Sequence, residues 1–495
     1  MTLHYTRPLG AFLPNIDAAR APLLAGGLQL DSRQVVPGDV FFALACEPQR
    51  SAHIAQALLR GARWIVVDSA LPLPSVAAET LLALPSPGAH MAEWAAEFYQ
   101  HPSRAMRLIG ITGTNGKSTT AFLLAQLLEA VSGARGGVIG TLGFGHWQAA
   151  LTDTGKTTPD AINLQRILRG LVDEGITQVA MEVSSHALDQ GRVAGVEFAG
   201  AVFTNLSRDH LDYHGDMDSY ASAKQKLFHW PQLPLAVLNE DDTYSGTMRQ
   251  GIAAGTQVLG YGLDTACDVQ ATGCSYSTEG ISFDLNSPWG AQRLSAPLLG
   301  RFNVENLLAS LTTLLALQPE AWPRLASITA GLQPVTGRMH LVSGPRAAPK
   351  VVVDYAHTPD ALAKALAAVR VHATGEVWVI FGCGGDRDRG KRALMAQAAE
   401  AAADKVVITS DNPRSEDPQR ILADISSGLT RPAWCVEEDR RKAIAATIAA
   451  AEPGDWVLLA GKGHETYQLI GEQVLALSDI AEAEAALAAY SPSES

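Results

Sequence analysis

Short apolar runs closed by polar or glycine-rich breaks recur along this chain, and between them apolar residues fall at helical spacing. Near the start, Val40-Phe41-Phe42-Ala43-Leu44 and Trp64-Ile65-Val66-Val67 alternate with alanine-rich helical stretches, and a proline-rich break follows at residues 71–74. This pattern predicts a small α/β domain over residues 1–105. A second region, residues 106–336, opens with the run Leu108-Ile109-Gly110-Ile111. In the stretch that follows, Phe122, Leu123, Leu124, Leu127, Leu128 and Val131 share one helical face. Residues 178–183 and 200–204 read as further buried strands, each ending in polar residues, where open α/β sheets place their ligand chemistry. Residues 268–285, rich in Ser, Thr and Gly with alternating apolar positions, predict an antiparallel β excursion. In the third region, residues 337–495, buried-strand runs at 351–354, 377–382, 405–409 and 456–460 are separated by helical patterns. They predict a second doubly wound α/β domain.

The link between run and helix at the start of the second region is Gly113-Thr114-Asn115-Gly116-Lys117-Ser118-Thr119. A buried strand, a glycine-rich turn and a helix N-terminus make a phosphate cradle. The glycines let N–H groups converge on an anion, and the helix dipole adds positive charge. Lys117 would neutralise phosphate oxygens and the Ser118 hydroxyl would hold Mg²⁺. Ile111 stands where the standard spacing wants glycine, but the strand–turn–helix context predicts binding of a nucleoside triphosphate.

Composition narrows the class. A chain of 495 residues predicts about three domains, and 47% hydrophobic against 18% charged residues is ordinary for globular proteins. A formal net charge of -13 argues against a nucleic-acid partner held by bulk electrostatics. The five cysteines, Cys46, Cys267, Cys274, Cys383 and Cys435, include no CxxC pair and fit reduced thiols. Residues 1–5 lack the basic start of a secretory signal, and no apolar stretch approaches the roughly 18 residues that span a bilayer. The expected address is the cytoplasm.

Several strand ends carry chemistry. Glu182, in Met181-Glu182-Val183-Ser184-Ser185-His186, is a carboxylate at the end of a buried strand, suited to a second Mg²⁺ bond beside Ser118 or to a capping turn. Residues 205–214 concentrate groups for metals, phosphates or protons, with His210 or Asp209 able to meet a second cation; a solvated polar loop reads the same way. Lys224 taken alone reads as a surface lysine. Asn303 and Asn306 precede an apolar helix at 307–317 and suit either a base edge or, for Asn303, a helix cap. Arg338 follows Gly337 at a domain junction, fit for a triphosphate or a surface ion pair. Cys383 has no activating neighbour and reads as a structural thiol. Asp411-Asn412-Pro413-Arg414 offers an acceptor, an amide and a bidentate guanidinium at one turn, suited to an amino acid bearing ammonium and carboxylate groups. An Asx–proline turn is the plainer reading. Glu465, in Gly461-Lys462-Gly463-His464-Glu465, could bind a substrate ammonium.

Taken in order, these motifs resemble the Mur ligase family of peptidoglycan precursor synthesis over nearly the whole chain. The resemblance implies an α/β fold with three domains, a P-loop central domain and a Rossmann-like C-terminal domain. It implies ATP-dependent ligation of meso-diaminopimelate to the D-glutamyl residue of UDP-N-acetylmuramoyl-L-alanyl-D-glutamate. Asp411-Asn412-Pro413-Arg414 is the form expected of diaminopimelate-adding members. By the same resemblance Lys224 becomes a carbamylated lysine. Ser118 and Glu182 serve one Mg²⁺, and Lys224 with His210 support another. Lys117, Lys224, His210 and Arg338 act in catalysis, and residues 113–119 with Asn303 and Asn306 hold ATP. Leu30 and Ser32 match uridine-diphosphate contacts; Thr157, Thr158, Ser184, Gln190 and Arg192 match contacts to the muramoyl dipeptide. Arg387, Asp411, Asn412, Pro413, Arg414, Gly461 and Glu465 match the amino-acid site. The chain departs from the family at Lys156, where Asn is usual, and at Cys46-Glu47-Pro48-Gln49-Arg50, where a glycine-rich loop is usual. A monomer acting on small molecules, without nucleic acid or membrane insertion, is expected.

Overall fold

The computed structural model describes residues 5–491. Contacts gather the chain into two compact units, residues 1–267 with 309–318, and residues 268–308 with 319–495.

In the first unit, four parallel strands, Leu28–Gln29, Val40–Phe42, Trp64–Asp68 and Leu81–Leu84, pair in that order. Successive side chains alternate faces. Val40, Phe42, Trp64 and Val66 therefore pack one core with Trp94 and Phe98, while Phe41, Ile65 and Val67 pack the other with Ile54 and Ala57. Burial on both faces explains the unbroken apolar runs. A larger sheet follows in the order Gln257–Gly262, Leu235–Asn239, Gly200–Phe203, Arg107–Thr112, Ile176–Glu182, Arg135–Gly140 and Gly143–His146. All are parallel except the last, which pairs antiparallel. The helix Lys117–Ser132 is buried along its middle, Leu123, Leu124, Leu127 and Leu128 completely, with Phe122 and Val131 at the margins.

In the second unit the β excursion is longer than the sequence suggests. It forms a three-stranded meander, Val269–Ser277, Gly280–Ser287 and Gly290–Ala296. A six-stranded sheet has the order His340–Val342, Lys350–Asp354, Trp456–Ala460, Val377–Phe381, Lys405–Thr409, Cys435–Glu437, parallel but for its first strand. One face (Val352, Leu458, Val379, Ile408) meets the helices Pro359–Arg370, Gly390–Ala402 and Pro418–Ser426. The other (Val351, Leu459, Ile380, Val407) meets Arg440–Ala450 and Asp479–Ala488. This is the doubly wound α/β arrangement that the spacing of the apolar runs predicts. No helix among the described residues is long and apolar enough to cross a membrane.

Candidate active site

Register brings the first site together. Glu182 pairs with Ile111 and Phe203 with Thr112, so three neighbouring strands end at one edge of the sheet. Past that edge Gly113 adopts φ +151°, and a Cβ there would overlap the Thr204 hydroxyl, so the position admits glycine alone. Residues 204–205 hold the loop: Thr204 Oγ1 donates to Asn115 O at 2.7 Å, Asn205 O accepts from Thr114 N at 2.8 Å, and Asn205 Oδ1 accepts from Asn115 N at 3.0 Å. Gly116 caps the following helix with φ +83° and no side-chain cap bond. A helix start without a side-chain cap suits an anion. Lys117 Nζ folds back onto Gly113 O at 2.9 Å and Thr114 O at 2.8 Å. Thr119 is buried below.

Glu182, 2% exposed, accepts from Ser118 Oγ at 2.7 Å, Thr141 N at 2.9 Å and Thr141 Oγ1 at 3.3 Å. Thr157 Oγ1 lies 3.0 Å from Thr141 Oγ1, and Thr158 Oγ1 donates to Glu182 O at 2.9 Å. Ser184 caps the short helix behind through Ala187 N at 3.2 Å. Arg192 donates to Thr158 O at 3.1 Å and, through Nε, to Gln190 Oε1 at 2.9 Å. The residues matched to the dipeptide thus gather around the end of the Glu182 strand.

Lys224 is 1% exposed, which sets aside the surface reading. Its Nζ donates to Gly113 O at 2.8 Å and stands 4.6 Å from the Tyr220 ring centre. Lys117 donates to that same carbonyl oxygen. Two ammonium groups on one oxygen repel. Burial first, and the charge of Lys117 second, hold the Lys224 pKa well below its ordinary value, opposed by Asp209. Burial likewise pushes the Tyr220 hydroxyl up to about 12, against its bond to Thr114. His210 is exposed, takes φ +53°, pairs with Asp209 at 3.4 Å, and sets its ring 5.0 Å from His186 and 6.1 Å from Tyr220. His186 and His214 are held below the usual histidine value, chiefly by burial. Among the described residues no cluster of three or more His, Cys, Asp or Glu is arranged for a metal. Of the expected Mg²⁺ set, Ser118 and Glu182 touch.

Leu30 and Ser32 follow the first small strand. Ser32, buried, bonds Gln56 Oε1 at 2.6 Å, and Leu30 packs beside the domain core. Arg166 steadies that strand through Leu28 O at 2.7 Å. The unusual loop at residues 46–50 is closed by buried Arg50, which meets Glu47 at 2.9 Å and Pro72 O at 2.8 Å. Lys156 is exposed.

The second unit carries a second cluster. Asp411 and Asn412 follow the strand Lys405–Thr409, and Gly461 and Lys462 follow Trp456–Ala460. A Cβ on Gly461 would come within 2.7 Å of Asp411 Oδ2. Asn412 Nδ2 donates to Glu465 Oε2 at 3.0 Å, and Arg414 Nη1 donates to Gly385 O at 2.8 Å from a backbone of φ +53°. Such strain concentrates at functional sites. Gly382 and Gly385 sit where side chains cannot: a Cβ would overlap the carbonyls of Thr409 and Pro413 respectively. Arg387 is exposed beside Gly384. Glu416, held down to about 2 by Arg392, braces this loop through Asp386 N at 2.7 Å. From beneath, buried Arg440 donates to Ser410 O at 3.3 Å and Ala460 O at 3.0 Å while paired with buried Asp479 at 2.6 Å. Cys383 is buried and pushed up to about 12, a thiol without nucleophilic character.

Arg338 joins no ion pair among the described residues; it stacks on Tyr355 at 4.7 Å, and its Nε has no hydrogen-bond partner. Burial raises the Asp354 carboxyl, opposed by that guanidinium. Asn303 and Asn306 lie inside the helix Arg301–Leu317, not before it. Asn303 Nδ2 donates to Leu299 O at 2.8 Å, and its Oδ1 accepts from Asn306 at 3.0 Å, so the capping alternative falls. Sequence reasoning missed Thr141, Tyr220, Tyr355, Lys462 and Arg440. Thr141 had a faint signal, as the polar residue closing the glycine-rich strand Arg135–Gly140.

Comparison with known proteins identifies the family. The family models of the Mur ligase middle domain and of the Mur ligase glutamate ligase domain match residues 111–314 and 337–463. A UDP-N-acetylmuramoyl-L-alanyl-D-glutamate–2,6-diaminopimelate ligase of Alkalilimnicola ehrlichii is 47% identical over 483 residues, 95% of this chain and 96% of that protein. A solved structure of a ligase of that name aligns with TM-score 0.72 and 37% identity over 99% of both chains. Folylpolyglutamate synthase of Mycobacterium tuberculosis, solved with ADP and AMPPCP, shares the fold at TM-score 0.61 and 18% identity, over 76% of this chain and 92% of that one. The chain belongs to the Mur ligase family.

Proposed function

We propose that this protein joins meso-diaminopimelate to the D-glutamyl residue of UDP-N-acetylmuramoyl-L-alanyl-D-glutamate, with ATP converted to ADP and phosphate. The observation that carries the reading is full-length likeness to ligases of that name in a chain that keeps Ser118 on Glu182, Lys224 on the P-loop and the turn at 411–414.

The γ-carboxylate of the D-glutamyl residue attacks the terminal phosphorus of ATP and becomes an acyl phosphate. The amine of diaminopimelate then attacks the acyl carbon and gives up a proton, and as the tetrahedral adduct collapses the C–O bond to phosphate breaks and phosphate leaves with its electron pair. The chain supplies positioning and charge, the usual protein contribution to phosphoryl transfer. Residues 113–119 cradle the phosphates and Lys117 turns from its resting carbonyls onto them. Ser118 and Glu182 offer the oxygen donors Mg²⁺ takes, and bound there the ion would supply charge against the phosphate oxygens. Lys224, dry and disfavoured as an ammonium, is suited to carbamylation: its neutral amine adds to CO₂, loses a proton and becomes an anionic oxygen donor that would, with His210, support a second Mg²⁺. Arg338, with Nε unpartnered, is free to reach a developing negative charge, and Asn303 and Asn306 hold the nucleotide end of ATP. Residues 1–105 take the uridine nucleotide through Leu30 and Ser32, 106–336 take ATP, and 337–495 take the amino acid. The protein works as a monomer in the cytoplasm.

Phosphate release with ATP and the UDP-dipeptide, comparing meso-diaminopimelate with L-lysine, tests the reading. Turnover is expected with diaminopimelate, at least a hundredfold above lysine. Equal or greater turnover with lysine would overturn the amino-acid assignment. Silence with both, alongside activity on a folate and glutamate, would overturn the reaction.

A further inference from the structure

Lys462 lies just past the strand Trp456–Ala460 with its side chain wholly buried. Its Nζ stands 3.0 Å from Glu465 Oε2, 3.3 Å from Asn412 Oδ1 and 5.6 Å from the Tyr467 ring centre. A ligand arriving from solvent does not touch it. A dry ammonium is costly even when paired, and an apolar chain of similar volume would fill the space at less cost. What the ammonium does is occupy particular atoms. Asn412 Oδ1 accepts from Leu469 N at 3.0 Å as well as facing Lys462, so both its lone pairs are taken. Asn412 Nδ2 gives one hydrogen to Glu465 Oε2, which also takes Lys462. Two groups are left over for a ligand: the second N–H of Asn412, a donor, and Glu465 Oε1, an acceptor.

We propose that Lys462 is the positioning residue of the amino-acid site, fixing Asn412 as a donor and Glu465 as an acceptor. The pair then reads a ligand that carries a carboxylate and an ammonium together, an assignment that rests on the ligase reading above. Lysine offers only the ammonium at its far end; diaminopimelate offers both. Lys462 thereby sets amino-acid choice without contacting the amino acid.

Steady-state kinetics of Lys462→Met, with each substrate varied in turn, tests this. The KM for diaminopimelate is expected to rise at least tenfold, with the KM values for ATP and the UDP-dipeptide within twofold of wild type. The preference for diaminopimelate over lysine should shrink at least tenfold. An unchanged diaminopimelate KM, or a parallel rise in all three, overturns the assignment. Should that variant fail to fold, Lys462→Met/Glu465→Gln leaves no lone buried carboxylate and is compared with Glu465→Gln alone. Because Lys462 also fixes Asn412 Oδ1, the double variant should raise the diaminopimelate KM at least threefold beyond Glu465→Gln alone with the other two KM values unmoved, and equal diaminopimelate KM values in the two variants would count against the proposal. Wild-type protein inactive with diaminopimelate sinks the ligase reading as well, whereas an active wild type with an unaffected Lys462→Met sinks this assignment alone.

Discussion

At the scale of single residues, the first site is organised by what lies against Glu182. A Cβ on Gly140 would overlap its carboxylate, which Ser118 and Thr141 already pin. Gly140→Ala is therefore expected to displace the carboxylate and lower phosphate release about a hundredfold, the scale of loss from a misplacement near 1 Å. Far-UV circular dichroism should stay unchanged; full activity in the variant would show that the carboxylate need not stand there. Lys224 shows where sequence runs out at this scale. Its segment, Tyr220-Ala221-Ser222-Ala223-Lys224, is as compatible with a surface as with a core, and burial follows from packing against the remote loop at Gly113. Only the order of motifs across the family resemblance singled it out.

Among elements, periodicity was nearly sufficient. The apolar runs of both units are strands buried on two faces, and polar residues at their carboxyl ends mark both clusters. Less legible was the start of the helix Arg301–Leu317, because Phe302 and Val304 are interleaved with Arg301, Asn303, Glu305 and Asn306 and the continuous apolar run begins only at Leu307. Least legible was the pair Arg440–Asp479, 39 residues apart, which ties two strand ends to the helix Asp479–Ala488. Removing one partner strands a buried charge. Asp479→Asn should cost about 3–5 kcal/mol in chemical denaturation; a loss below ~1 kcal/mol would mean the charge finds another partner, since a surface pair is worth that little.

For the molecule as a whole, the proposed reaction divides its chemistry between the clusters of the two units. Lys117→Ala removes the charge proposed to meet the phosphates, so it should abolish acyl phosphate formation and ligation alike. Arg414→Ala touches the amino-acid cluster and should spare the first step while raising the diaminopimelate KM at least tenfold. Hydroxylamine trapping of the acyl phosphate without amino acid separates the two. Loss of hydroxamate in Arg414→Ala as complete as in Lys117→Ala would contradict the division. The formal net charge of -13 describes neither cluster. Each cluster carries local cations, Lys117 and Lys224 in one and Arg414 and Lys462 in the other, which a whole-chain sum conceals.

Gly382 and Gly385 press their peptides against the carbonyls of Thr409 and Pro413 with no room for a side chain. An inhibitor that gripped the half-buried main chain at Gly384, between these two buried glycines, would address a stretch whose flanking residues substitution could not readily alter. Any replacement that spoiled the drug's grip would first push apart the turn that the enzyme needs, so escape mutations would have to arise elsewhere.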